Sequence, residues 1–165
     1  MAIPYMENAI RSVHKSLDQI IKTAEGLSED IIRKKPSEEE WSIMQILCHV
    51  LEVGPYWMGE IEKIKENPQI KWGRGLNDEA RLEAVNTTDS QSVSEVLAGL
   101  RSLKTELAGR LKKLDEDTLQ IEAESTNPNF GTKPVSFIVD HLIVEHIAKH
   151  YGQINRNLSK FHINQ

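Results

Sequence analysis

The stretch VEHIAKHYGQINRNL, residues 144–158, decides the fold. With the residues flanking it, Ile143, Ile147, His150, Ile154, Leu158 and Phe161 step by three and four, the apolar stripe of an amphipathic α-helix. His150 stands on that stripe, and His146 lies about 40° around the same helix, towards Leu142. Residues at i and i+4 share a face, so both imidazoles can reach a single point in space.

The same period recurs upstream. Ile10, Val13, Leu17, Ile20, Ala24 and Leu27 mark a first helix. A second runs from about Ser42 to Glu66, with Ile43, Ile46, Val50, Val53, Trp57, Ile61 and Ile64 on one side. Its start carries a capping box, Ser42 with Gln45 three residues on. Val93, Val96, Leu100, Leu103, Leu107, Leu111 and Leu114 mark a third after the polar run NTTDSQS, and the fourth, with residues 144–158, follows Pro134. Between them lie KKPSEEE, the long crossover ENPQIKWGRGLNDEARLEAVNTTD and the loop STNPNFGTKP, read as breakers rather than strands. No period-two alternation, internal repeat or low-complexity tract stands out. Four amphipathic helices of roughly 20–27 residues with one long connection predict an all-α four-helix bundle.

At 165 residues the chain suits one domain, residues 1–165, with a core that needs no staples. A net charge of −5, with lysines and arginines dispersed among acids, argues against holding nucleic acid by phosphate neutralisation. The single cysteine, Cys48, excludes an internal disulfide and Cys-rich zinc motifs. MAIPYMENAI does not read as a signal peptide, and no stretch approaches the roughly 18 apolar residues of a membrane span. A cytoplasmic protein with no membrane partner is the expectation.

His49, in WSIMQILCHVLEV, neighbours Ile46 and Val53 beside the apolar stripe of the second helix. Taken singly, His49, His146 and His150 each read as core histidines satisfied by a hydrogen bond. Taken together, they form a three-imidazole platform with open coordination positions, which metal-assisted chemistry needs. His141 is about 140° from His146 and cannot easily share that metal. His14 and His162 sit among polar neighbours and, with His141, read as surface or packing residues. Cys48 reads as a small buried hydrophobe. Glu52, at i+3 from His49, and Gln153, at i+3 from His150, are candidates to fix an imidazole tautomer, or ordinary polar residues at the bundle edge. Trp57 reads as core. Trp72 and Arg74, in the crossover, stay open between pocket wall and dimer interface. Ile147 stands where a zincin peptidase has its glutamate, and no nucleophile elbow, phosphate-cradling loop or paired Glu-x-x-His motif is present.

These motifs resemble the DinB-like superfamily, which includes the YfiT-type bacillithiol transferases. Trp41, Ser42 and His49 match its Trp-Ser opening of helix two with a histidine about two turns on. His146, His150, Gly152, Gln153 and Ile154 match its His-x3-His-x-Gly-Gln-Ile run, and the resemblance spans Tyr5 to Phe161. It implies an up-down-down-up bundle and a divalent metal, zinc or nickel, on His49, His146 and His150. It also implies a homodimer and a thiol S-transferase with a small-molecule thiol and an electrophilic substrate. Hydrolysis by a metal-bound water and a non-catalytic, stress-related metal-binding dimer are the alternatives. No catalytic residue beyond the ligand set is identified.

Overall fold

The computed structural model describes residues 3–162, so residues 1, 2 and 163–165 of the expected 1–165 domain lie outside the described residues. Four long helical stretches carry the core. Helix α1 (Pro4–Glu25) opens on a proline, whose missing N–H is not needed in a first turn. A short α2 (Glu29–Arg33) precedes α3 (Ile43–Glu66), where the capping box forms in full. Gln45 N–H donates to Ser42 Oγ at 3.1 Å and Ser42 N–H to Gln45 Oε1 at 2.9 Å. Two orphan donors are thereby satisfied, and the entry of the helix that carries His49 is fixed. Helix α4 (Glu79–Asn86) lies in the crossover, α5 (Val93–Lys112) follows, and α6 (Glu116–Gln120) is short. Strands β1 (Glu122–Glu124) and β2 (Thr132–Pro134) precede α7 (Val135–Phe137). A π-helical segment, Ile138–Val144, then joins α7 to α8 (Glu145–Lys160).

Cross-helix contacts give the direction of each long helix. Asp18 and Glu25 of α1 pair with Lys104 and Arg101 of α5, a falling series that makes those helices antiparallel. On α3, Leu51 meets Gly99, Gly54 meets Leu103 and Leu107, and Glu62 pairs with Arg110, so α3 and α5 run parallel. Trp41 meets Asn157 and His49 meets His146 and His150, which sets α8 antiparallel to α3. The resulting order is up-down-down-up, and the parallel middle pair requires a long crossover to return the chain. Leu17, Ile20, Ile46, Leu47, Leu100, Leu107, Ile138 and Ile154 are among the fully buried side chains of one continuous core.

The regions read as loops hold more structure than expected. The crossover contains α4 and a 3₁₀ turn, Thr88–Ser90, and the end of STNPNFGTKP is itself a strand of an antiparallel hairpin that pairs Lys133 with Ala123. Strands of three residues are too short to display a period. Leu27, Leu114 and Phe161 fall just beyond their helices; the first two still pack on the core, and Phe161 lies under the Lys34 ammonium. Among the described residues, no helix is long and apolar enough to cross a membrane.

Trp72 ties the crossover to the hairpin. Its ring is buried, Nε1–H donates to the Ala123 carbonyl at 2.9 Å, and its backbone pairs with Glu124 and Thr126. Gly73 follows at φ 101°, a conformation that glycine adopts without strain, and its N–H donates to Glu60 Oε1 at 2.8 Å. Trp72 is therefore a core residue. Its neighbours Trp57 and Phe130, at ring distances of 6.0 and 5.8 Å, show that it is also one wall of a cavity.

Candidate metal centre

His49 projects from α3, and His146 and His150 from α8, so that one ligand atom from each lies within 4.8 Å of the others. The two α8 histidines need regular helix for i,i+4 registry, and α8 starts at Glu145, directly after the π-helical segment. Trp41 packs on the His49 ring at 5.0 Å between centroids. His49 is buried, while His146 and His150 are half-buried.

Proton accounting shows how these residues fit a cation. Gln153 Oε1 stands 2.9 Å from His150 Nδ1, which therefore carries the proton and leaves a lone pair on Nε2. That Nε2 faces His146 Nε2 at 2.9 Å. If His146 donates across this contact, its buried Nδ1 is an acceptor with no partner; if it does not, two lone pairs oppose each other. His49 Nδ1 is likewise buried without a partner. A cation between the Nε2 atoms removes the conflict of lone pairs, so the donor set suits a divalent metal bound by nitrogen.

The imidazoles are held neutral, as metal ligation requires. Burial, followed by the two neighbouring histidines, pushes the His49 pKa down to about 3. Burial and the facing His150 push His146 down to about 4, although the Leu142 carbonyl favours its charged form without meeting Nδ1 in hydrogen-bonding geometry. Burial also lowers His150.

The other polar residues separate into distinct roles. Gln153 is a partner of His150, but Glu52 is not a partner of His49. Glu52 instead grips Arg74 through both carboxylate oxygens, one at 2.8 Å from Nη1, while Asp78 meets the same guanidinium at 3.3 Å. The Tyr56 ring covers that guanidinium at 3.8 Å. His141 pairs with Glu145 at 2.7 Å on the exposed side, and His14 meets the Lys104 carbonyl at 3.1 Å. His162 is exposed just past α8. Burial raises the Cys48 thiol above its ordinary value, which suits a packing role.

Two clefts reach the histidines. A cavity of about 600 Å³, within the size range of small-molecule sites, is walled by Trp57, Trp72, Phe130 and Leu142 beside His49 and His146. A second, of about 410 Å³, is lined by Trp41, Gln153, Arg156 and Asn157 beside all three histidines. Arg81 borders both. Sequence reasoning passed over Arg81, since a lone arginine in a crossover carries no periodic or motif signal.

The fold has known counterparts. YfiT from Bacillus subtilis, described as a probable metal-dependent hydrolase with an unusual four-helix bundle topology, is similar over 99% of this chain and 91% of its own, with a TM-score of 0.79 at 13% identity. A mycothiol-dependent maleylpyruvate isomerase is similar over 90% of this chain and 58% of its own, with a TM-score of 0.66 at 12% identity. No curated protein sequence matches the chain. The family model described as DinB superfamily matches residues 13–154, a span that begins in α1 and takes in all three clustered histidines. With the motif order, the helix directions and this match in agreement, the chain belongs to the DinB superfamily.

Proposed function

We propose that this protein is a metal-dependent enzyme that joins a low-molecular-weight thiol to an electrophile, with His49, His146 and His150 holding zinc or nickel. The observation that carries the proposal is the convergence of three neutral imidazoles, two of them facing through Nε2 at 2.9 Å, beside a cavity of about 600 Å³. A divalent cation bound there supplies the charge that keeps a thiol as thiolate at neutral pH, where a free thiol of pKa about 8.5 is mostly protonated. In the overall transfer an S–C bond forms as the electrophile's bond to its leaving group breaks. The leaving group departs with the electron pair, and the thiol proton passes to solvent.

The chain's own residues set the conditions. Gln153 fixes the tautomer and ring plane of His150. Trp57, Trp72 and Phe130 give the larger cavity an apolar wall that suits an electrophile and limits water. The likeness to a mycothiol-dependent isomerase supports a thiol as one reactant. The likeness to YfiT supports a hydrolytic alternative, which would turn over substrate without added thiol.

Elemental analysis of tag-free protein beside His49→Ala and His146→Ala is the test. One zinc or nickel per chain, lost in both variants, is the expected result. Full occupancy in His146→Ala, or none in the wild type after reconstitution, refutes the three-histidine site. With the metal in place, turnover that does not depend on thiol would favour the hydrolase.

A further inference from the structure

Arg74 and Arg81 border the same cavity, yet their charges are handled in opposite ways. Arg74 is neutralised by Glu52 and Asp78. Arg81 has no carboxylate within ion-pair range among the described residues. Its Nη1 donates to the Leu76 carbonyl at 3.0 Å, and its guanidinium lies 5.8 Å from the Trp41 ring. The backbone N–H of Arg81 is capped by Asp78 Oδ1 at 3.1 Å, which roots the residue in the first turn of α4. The remaining guanidinium donors are free to bind a ligand. The charge of Arg81 also bears on all three clustered imidazoles.

The two clefts differ in chemistry. On the Trp57 side Trp57, Trp72, Phe130, Val53 and Leu142 make most of the wall, with Ser125, Thr126 and Asn127 along one stretch of it. On the Trp41 side, Lys160 is taken up by Glu40, while Glu39 and Arg156 stand exposed at the edge. Those four charges cancel, so Arg81, which borders both clefts and has its guanidinium by the Trp41 ring, leaves an unbalanced positive charge here. A cation on the histidines would add to the excess. An anionic ligand relieves it, and a planar guanidinium binds carboxylate through two parallel hydrogen bonds.

We infer that Arg81 anchors a carboxylate-bearing thiol in the cleft beside Trp41, with the sulfur towards the three histidines, while an uncharged apolar electrophile occupies the aromatic cavity on the other side. This rests on the thiol-transfer reading and adds the chemical class of each reactant. Both clefts are lined by His49 and His146, so the two reactants meet at the histidines.

Calorimetric titration of zinc-loaded protein with mercaptosuccinate and with 2-mercaptoethanol tests it, in the wild type, Arg81→Gln and Arg81→Lys, with succinate titrated separately. The wild type should bind mercaptosuccinate at least about tenfold tighter than 2-mercaptoethanol, the scale of one charge-assisted hydrogen-bonded contact. Arg81→Gln should lose that preference and keep its 2-mercaptoethanol affinity, which doubles as the check that the variant is folded. Arg81→Lys should retain part of the preference. Equal affinity for both thiols in the wild type, or an undiminished preference in Arg81→Gln, overturns the role of Arg81 and leaves thiol binding intact. Mercaptosuccinate bound no more tightly than succinate, with 2-mercaptoethanol not bound at all, overturns the thiol reading instead.

Discussion

Mild acid should destabilise the metal-free protein through its buried imidazoles. Folding holds His49 at a pKa of about 3 and His146 at about 4, because burial penalises their charged forms. In the unfolded chain both titrate near the ordinary histidine value of about 6.5. Well above that pH, neither state protonates them, and they contribute nothing to the pH dependence. Between about pH 6.5 and 4 only the unfolded chain takes up protons, so stability falls as the pH falls. At pH 5.5 each unfolded imidazole gains about 1.4 kcal/mol, and the pair removes about 3 kcal/mol. His150, also lowered, acts in the same direction. With a urea m-value of about 2 kcal/mol/M, the unfolding midpoint of the metal-free protein should drop by about 1.5 M between pH 7.5 and 5.5. The His49→Asn/His146→Asn double variant should lose most of that slope. A wild-type midpoint that moves by less than about 0.3 M over this range would refute the claim that folding keeps these imidazoles neutral.

Three further outcomes follow from the geometry. Gln153→Leu should weaken zinc binding by about 10–100-fold while leaving the helix intact, because His150 Nδ1 loses its orienting acceptor; competition with a chelator reads this out. Trp72→Phe should cost about 2–3 kcal/mol in urea unfolding, since it leaves the carbonyl of buried Ala123 without its indole donor. Gly109→Ala, in the interior of α5 with nothing within 4 Å of the added Cβ, should stabilise the protein by about 0.5–1 kcal/mol, visible as a rise in melting temperature.

Local patterns made most of the bundle legible. The stripes of α1, α3, α5 and α8 record which face of each helix is buried, and burial is what selects residues at that period. The Ser42–Gln45 box is likewise a contact between near neighbours, so its residue types suffice to announce it. The hairpin and α4 were hidden because a three-residue strand and an eight-residue helix of weak amphipathicity carry too few positions for a period.

The site divides along the same line. Helical geometry alone brings His146 and His150 to one face, and their spacing was readable from residue numbers. Which polar neighbour serves them was not. Glu52 and Gln153 hold equivalent i+3 positions relative to His49 and His150, yet Gln153 reaches an imidazole while Glu52 turns to Arg74, which lies 22 residues along the chain. Trp72 becomes a buried wall only because the crossover folds back onto a hairpin 51 residues away. The unpaired state of Arg81 is also a property of the whole assembly, since it depends on where every carboxylate comes to rest. Sequence by itself determined the four long helices, their buried faces and the pairing of two histidines, because those rest on interactions within a few turns. Tertiary structure decided the third histidine's approach, the partner of each charge and the two unlike clefts, because these arise from packing between segments whose separation along the chain carries no signal.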